Sequence, residues 1–318
     1  MSTELFWEGQ EMKLVAPDYY KDFTCIADRC RHSCCIGWEI DIDEDSLARF
    51  EELEGDYGPV LRSRIDYEGE VPHFRLGAGE RCPFLQENGL CEMILTLGED
   101  SLCQICTDHP RYRNYLTDRT EIGLGLCCEA AGELILGRTA PVKLTVLEDD
   151  AVHDEPDPEE ETLLSFRDML FSIMQDRDCT LEERLEELLA TCGAALPEGG
   201  VARWAKFLLT LERLDEGWTQ KLTALTQDAH LPAGTPWDIP LEQAGVYFLY
   251  RHLPAALDDG DVSSKAAFAT LSVKLLWALF VREGGSTLSE LVELARMYSG
   301  EIEYSEENLQ AVFDWLAE

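Results

Sequence analysis

The sequence predicts a mainly α protein, with an irregular, cysteine-rich α+β domain followed by an all-α helical domain. Three observations carry this. Ten of the twelve cysteines fall between Cys25 and Cys128. Beyond an acidic, proline-containing stretch, leucines recur at helical spacing nearly to the end of the chain. The 318 residues, 45% of them hydrophobic, are enough for a full core without covalent staples. The expected division is 1–147 for the cysteine-rich domain, 148–161 for an acidic linker and 162–318 for the helices. In the linker, EDDAVHDEPDPEEE, two prolines and a run of like charges disfavour regular structure.

In the first half, Trp38–Asp43 alternates apolar and polar residues and predicts a short strand. A helix is expected around Ser46–Leu53. Glycines and the Cys82-Pro83 pair predict loops up to Cys106. Cys128–Leu136 reads as a helix and Val142–Leu147 as a strand. In the second half, Thr180-x-x-Glu183 and Thr287-x-x-Glu290 fit capping boxes. Leu181, Leu185, Leu188 and Leu189 follow helical spacing. So do Leu208, Leu211, Leu214 and Trp218, then Leu222 and Leu225. Leu271, Leu275 and Leu279 continue the pattern, followed by Leu288, Leu291 and Leu294. Pro232, Pro236 and Pro240 mark an intervening loop. The count is about six or seven helices, with Trp204, Trp218, Trp277 and Trp315 in their core. No internal repeat is visible.

A formal charge of −37 disfavours nucleic acid and anionic membranes, since both are bound by neutralising their phosphates. It attracts basic, lysine-bearing partners, or simply keeps the chain soluble. The N-terminus lacks the basic and apolar regions of a signal peptide. The longest apolar run, Ala266–Val281, is interrupted by Lys274 and falls short of a comfortable membrane span. A soluble, cytoplasmic protein is expected. In a reducing compartment, clustered cysteines favour thiolate ligation over disulfides.

The cysteines stand as Cys25-x4-Cys30-x3-Cys34-Cys35, Cys82-x8-Cys91-x11-Cys103-x2-Cys106 and Cys127-Cys128. Cys103-x2-Cys106 is the commonest two-ligand element for zinc and for iron–sulfur clusters. Neighbouring residues point apart, so Cys34 and Cys35 serve different centres, or one of them packs. The same holds for Cys127 and Cys128. Cys128, at a helix start, is the better ligand; Cys127 is assigned to packing. So many thiolates exceed one tetrahedral site. Two four-ligand centres, or one [4Fe–4S] cluster with a second metal or spare thiols, both remain open, and ligand type does not separate zinc from iron. The Cys-x3-Cys-x2-Cys signature of radical S-adenosylmethionine enzymes is not met, because position 37 is glycine. His32 and His109 are candidate ligands or substrate contacts, with a local hydrogen bond as the simpler role of each. His73, His153, His230 and His252 have no supporting context. Gly123-Leu-Gly125 is too short for a dinucleotide fingerprint, and no nucleophile elbow or P-loop is present.

Larger pieces of the chain resemble a known family. They are the run from Ala16-Pro-Asp-Tyr-Tyr through Cys25, Cys30-Arg-His-Ser-Cys-Cys-Ile-Gly-Trp-Glu-Ile-Asp-Ile-Asp43, Cys82-Pro-Phe-Leu85, Gly89-Leu-Cys91 and Leu97-Gly-Glu-Asp100. Leu102-Cys-Gln-Ile-Cys-Thr-Asp-His-Pro-Arg111, Gly123-Leu-Gly-Leu-Cys-Cys-Glu-Ala-Ala131 and the late Glu301-Ile-Glu-Tyr-Ser-Glu-Glu-Asn308 complete the set. Together they resemble the bacterial flagellin lysine-N-methylase family, a branch of a wider cysteine-cluster group of zinc- or iron-chelating proteins. The resemblance implies methyl transfer from S-adenosylmethionine to lysine ε-amines of flagellin or another surface protein. It also implies a [4Fe–4S] cluster, with zinc as the alternative. The family's cysteines carry over onto Cys25, Cys30, Cys34, Cys35, Cys82, Cys91, Cys103, Cys106 and Cys128. It assigns no catalytic or cofactor-binding residue. Tyr19, Tyr20, Trp38, Asp41 and Asp43 are candidates for an aromatic and acidic pocket that holds a cationic amine, with core packing or helix capping as the plainer role of each. Two non-enzymatic readings stand beside this one: a chelating protein folded by its metal, and an iron–sulfur sensor read out by its helices.

Overall fold

The computed structural model describes residues 13–69, 71–149, 154–227 and 237–318. Strand β1 is Lys13–Pro17, followed by helices α1 (Glu44–Glu52) and α2 (Tyr57–Arg62). The short strands β2 (Ile65–Asp66) and β3 (His73–Phe74) precede α3 (Glu92–Leu97) and α4 (Gln104–Asp108). Then come β4 (Arg111–Tyr115), β5 (Arg119–Leu124), α5 (Glu129–Leu136) and β6 (Leu144–Glu148). Nine helices follow among the described residues: α6 (Pro158–Met174), α7 (Leu181–Thr191), α8 (Gly200–Leu208), α9 (Glu216–Leu225), α10 (Asp238–His252), α11 (Ala256–Asp259), α12 (Val262–Arg282), α13 (Leu288–Tyr298) and α14 (Glu306–Ala317). The fold class is the one expected: an α+β first part rich in cysteine, and a helical second part.

Two compact units are present. The helical unit contains Met1–Phe23, Tyr112–Cys127 and Ala131–Glu318; the cysteine unit contains Thr24–Arg111 with Cys128–Ala130. Membership thus differs from the 1–147 and 162–318 scheme. The cause is the sheet, ordered β4-β5-β1-β6. Strand β1 pairs in parallel with β5, Val15 opposite Glu121, and antiparallel with β6, Ala16 opposite Thr145. That sheet packs with the helices: Tyr250 of α10 donates its hydroxyl to Val15 O at 3.2 Å and lies 3.3 Å from Ile122 O. Arg167 of α6 grips Glu121 with two bonds of 2.6 Å, both side chains buried. Of the expected linker, Glu148 ends β6, Pro158–Glu161 form the first turn of α6, and 150–153 lie outside the described residues.

Helix α12 is the axis of the helical unit. A helix apolar on every side belongs at the centre of a core. It runs 21 residues, longer than the apolar run suggested, and 89% of its most apolar window is buried in the unit. Its own Phe268 meets Phe248 with ring centroids 5.8 Å apart, and Tyr298 and Trp218 are buried in the same unit. Both capping boxes are formed, at Thr180 and Thr287. Trp204, Trp218 and Trp277 are buried as expected; Trp315 stacks on Phe207 at 4.0 Å and stays partly exposed.

Some expectations are corrected. Leu211 and Leu214 do not continue a helix, because Asp215 caps α9 and ends the run, leaving Leu214 77% exposed. Pro240 sits in the first turn of α10, where its missing N–H costs nothing. Pro232 and Pro236 lie outside the described residues.

The cysteine unit is made of short pieces. Its core is Ile40, Ile42, Phe50, Leu61, Ile65, Phe74, Phe84, Leu85 and Met93, joined by Cys82 and Cys103. Trp38–Asp43 is extended with Ile40 and Ile42 inward, but it forms only bridging bonds beside β3 and no full strand. Asp43 caps α1 at Ser46 N (2.9 Å) and also accepts from Gln104 N of α4 (2.7 Å).

Candidate metal-binding thiol cluster

All twelve cysteines are described and none is in a disulfide. In the cysteine unit, local turns gather five of them. Cys35 O accepts from Cys82 N at 2.8 Å, so the two segments run side by side. A turn closed by Gln86 N to Leu90 O returns the chain, and Cys91 bridges to Leu85 before starting α3. Gly89 in that turn has φ +82°, and a Cβ placed there would come within 3.3 Å of Asp28 Cα, so a side chain would strain the backbone. Cys103 caps α4, which puts Cys106 one turn on, with the two sulfurs 3.4 Å apart. Cys35, Cys91 and Cys106 pack against the core that contains Cys82 and Cys103.

Crowded thiols compete for protons. Burial pushes Cys82 up to about 12, and the nearby Cys35 and Cys91 add to it. Cys35 is lowered to about 7, first by the Cys34 thiol hydrogen bond, opposed by burial, with Ser33 and the Arg81 charge assisting. Cys106 is driven far above the usual thiol range by its bond with Cys103, by burial and by the fields of Cys103, Cys35 and Cys82. Such a group stays largely protonated unless a cation is supplied.

A second group is more open. Cys34 is exposed; the Cys35 thiol, burial of its sulfur, and then Cys35, Cys25 and Cys128 electrostatically all favour its protonated form. Cys25 is exposed, and Cys30 and Cys128 are half-buried. The Cys30 sulfur lies 3.2 Å from His32 O and 3.9 Å from Glu129 Oε2. Glu129, 5% exposed, accepts from Arg31 N (3.0 Å) and Arg31 Nε (2.7 Å). Burial opposes its ionisation, but the Arg31 bonds outweigh it and hold its pKa below the usual range. Sequence reasoning missed Glu129; its signal was the place directly after Cys127-Cys128.

The two adjacent pairs differ: the Cys34 and Cys35 thiols hydrogen-bond to each other instead of pointing apart, because they lie in a turn, whereas the second pair divides. Cys128 belongs to the cysteine unit, whereas Cys127 belongs to the helical unit and its thiol shares a hydrogen bond with the Tyr304 side chain. His109 is held neutral by burial, its pKa lowered to about 4, and its ring lies 6.2 Å from Trp38. Trp38 donates its indole N–H to Cys34 O. His73 lies 3.5 Å from Glu39, His252 binds Glu303, and His153 and His230 lie outside the described residues. The five-residue aromatic and acidic pocket is not assembled in either unit. Tyr19 and Tyr20 belong to the helical unit, with Tyr19 buried, while Trp38, Asp41 and Asp43 belong to the other. Asp41 and Asp43 do line an open cavity of about 380 Å³ with Asp108, Gln104, Ile42, Val71 and Ile105. The late motif is structural. Glu301 accepts from Leu214 N and Asp215 N, Glu303 from Tyr247 and His252, and Asn308 donates to Glu212 O and Glu301 O.

Thiolates suit both zinc and iron–sulfur clusters. Two sulfurs at 2.3 Å from one tetrahedral metal stand about 3.8 Å apart, near the Cys103–Cys106 separation. Among the described residues no three His, Cys, Asp or Glu side chains converge on one ion. The fit is therefore a chelating pair set among further soft donors.

Comparison with known proteins finds distant similarity. The chain is 26% identical to the lysine-N-methylase of Salmonella choleraesuis (strain SC-B67) over 135 residues, 40% of this chain and 33% of that protein. The Salmonella typhimurium lysine-N-methylase gives the same figures. The flagellar biosynthetic protein FliU of Salmonella muenchen is 25% identical over 135 residues, 79% of its length. The match thus spans about a third of the two methylases. No protein-family model and no solved structure matches the chain.

Proposed function

We propose that this chain is a methyltransferase of the lysine-N-methylase type. In this reading it uses S-adenosylmethionine as donor, flagellin or another surface protein as acceptor and the cytoplasm as its compartment, and its cysteine unit holds a [4Fe–4S] cluster or zinc. The observation that carries the reading is the 135-residue similarity to lysine-N-methylases. The gathered thiols support the metal half. Cys25, Cys30, Cys34, Cys35, Cys82, Cys91, Cys103, Cys106 and Cys128 are the residues that would hold it. A bound thiophilic centre supplies the positive charge these thiolates lack and couples their ligation to folding.

Transfer forms a carbon–nitrogen bond as the sulfonium–methyl bond breaks, and the amine must first shed its proton. Lysine is protonated at neutral pH, so the protein has to accept or expel that proton. The −37 charge draws lysine-rich surfaces in. The cavity at Asp41, Asp108, Val71 and Ile105 offers an apolar floor for a lysine stem and carboxylates for its head. Calorimetric titration with S-adenosylmethionine on metal-replete protein, joined to mass spectrometry of co-incubated flagellin, tests the reading. Binding and added methyl groups support it. Neither, with the metal intact, leaves the chelating or sensor reading, which the presence of Cys82 and Cys103 in the unit's own core favours.

A further inference from the structure

We propose that the cleft between strand β6 and helix α6, within the helical unit, binds an elongated organic anion: a carboxylate carried on an apolar chain. The carboxylate lies at Lys13 and Arg119, and the chain runs along Val146 and Phe171. The inference does not rest on methyl transfer, because a sulfonium donor carries a net positive charge that these cations repel.

Sheet and helix together set the shape. Lys13 stands opposite Arg119 of β5, and Val15 stands between Glu121 of β5 and Val146 of β6. Residues opposite one another in register share a face of the sheet. Helix α6 packs on that face, where Arg167 grips Glu121. Thr117 N donates to Glu160, so the helix starts beside Arg119; Val142 N donates to Gln175, so it ends beside Val142. Strand β6 is the edge of the sheet, and a cavity of about 480 Å³ lies between it and α6. That volume suits a small molecule. Its lining on α6 runs from Leu164 to Gln175, about 16 Å of helix, so the cleft is long rather than round.

The charge of the cleft is opposite to that of the chain. The protein carries 63 acidic and 26 basic side chains, yet Lys13, Arg119, Lys143 and Arg167 line this cleft against Asp168 alone. Asp118 holds Arg119 at 2.7 and 2.8 Å, and Glu121 holds Arg167. Among the described residues no carboxylate pairs with Lys13 or Lys143. Unpaired ammonium groups on so acidic a protein make a local attraction for anions. Arg167 also has a buried Nε with no acceptor among the described residues, a place where one is missing. Between the charged ends the lining is apolar: Val15, Leu164 and Phe171 are buried, and Val146 is 48% exposed. An apolar floor with a few fixed charges selects a ligand that is apolar along its length and anionic at its end.

The test is calorimetric titration of the full-length chain with decanoate below its micellar concentration, beside acetate, which lacks the chain, and decanol, which lacks the charge. Decanoate should bind once per chain, and acetate and decanol about tenfold or more weakly. Lys13→Gln removes the head contact and should weaken decanoate about fivefold or more, with the loss shrinking as salt is added. Val146→Glu places a carboxylate in the cleft and should abolish binding. Lys13 is half-buried and Val146 exposed, so both variants should keep the wild-type melting temperature, which separates a lost site from a lost fold. No saturable binding of decanoate, equal binding of decanol, or wild-type affinity in either variant would each overturn the proposal. None of these outcomes bears on S-adenosylmethionine, whose titration stands apart.

Discussion

The two units bury very different material. The helical unit is closed by long helices around α12 and by large side chains such as Trp218, Phe248 and Tyr298, all fully buried. The cysteine unit has helices of at most nine residues and a core of eleven residues, two of which are cysteines. Isolated helices that short are marginal, so their order comes from tertiary contacts. The lesson is that the helical unit is held by apolar burial and pairs its buried charges, as Arg167 with Glu121, whereas the cysteine unit keeps thiols in its core where a helical protein would put leucine.

The largest effect that sharpens this contrast is removal of the proposed metal. Structural zinc contributes about 10–16 kcal/mol to small thiolate sites. A strong chelator should therefore melt the cysteine unit, with rapid amide exchange of α3 and α4, while α10 and α12 keep their protection. Equal loss in both units breaks the contrast. Next in size, Phe248→Ala removes a fully buried ring and should cost about 3–5 kcal/mol, read as a lower denaturation midpoint of the helical unit with thiol reactivity unchanged.

Acid should act on the same unit through the buried His252–Glu303 pair. Burial lowers the His252 pKa below 6.5, against the pull of Glu303. The unfolded chain then takes up a proton before the folded one, so stability is full above 6.5 and declines as pH falls. For Glu303, burial opposes ionisation, but Arg251 and then His252 outweigh it and hold it below 4.5. That contribution is likewise lost as pH falls through the acid range. Thermal unfolding of the helical unit should drop in two stages on acidification, and His252→Gln should remove the upper stage. An unchanged upper stage in that variant would count against the pair. The smallest effect is Thr180→Ala, which breaks one capping box and should cost about 1 kcal/mol, visible as faster exchange at the start of α7 alone.

Much of this was legible from the residues. Both capping boxes, the α12 core and the crowding of thiols follow from local pattern, because Thr-x-x-Glu and leucine spacing act within a few residues. Leu211 and Leu214 misled because leucine spacing persists through a loop that Asp215 and Glu301 build from positions 86 residues apart. The unit boundaries were hidden for the same reason: the pairing of β1 with β5 and β6 leaves no trace in either segment alone. Of the thiols, the crowding into one segment was legible and the spatial neighbours of each were not. Nothing in Cys34-Cys35 as letters says which sulfur meets Cys82.

The order in which the ribosome delivers the chain gives that strand pairing a temporal meaning. Strand β1 is made first, yet its parallel partner β5 arrives about a hundred residues later, on the order of 5–20 s at ordinary synthesis rates. Everything from Thr24 to Arg111 emerges in between. The cysteine segment is thus born before the sheet that flanks it in sequence can close, with eight of its nine thiol candidates already out and only Cys128 still to come. Under the proposed metal reading, loading of those thiols is free to begin on the nascent chain, with Cys128 as the last part delivered.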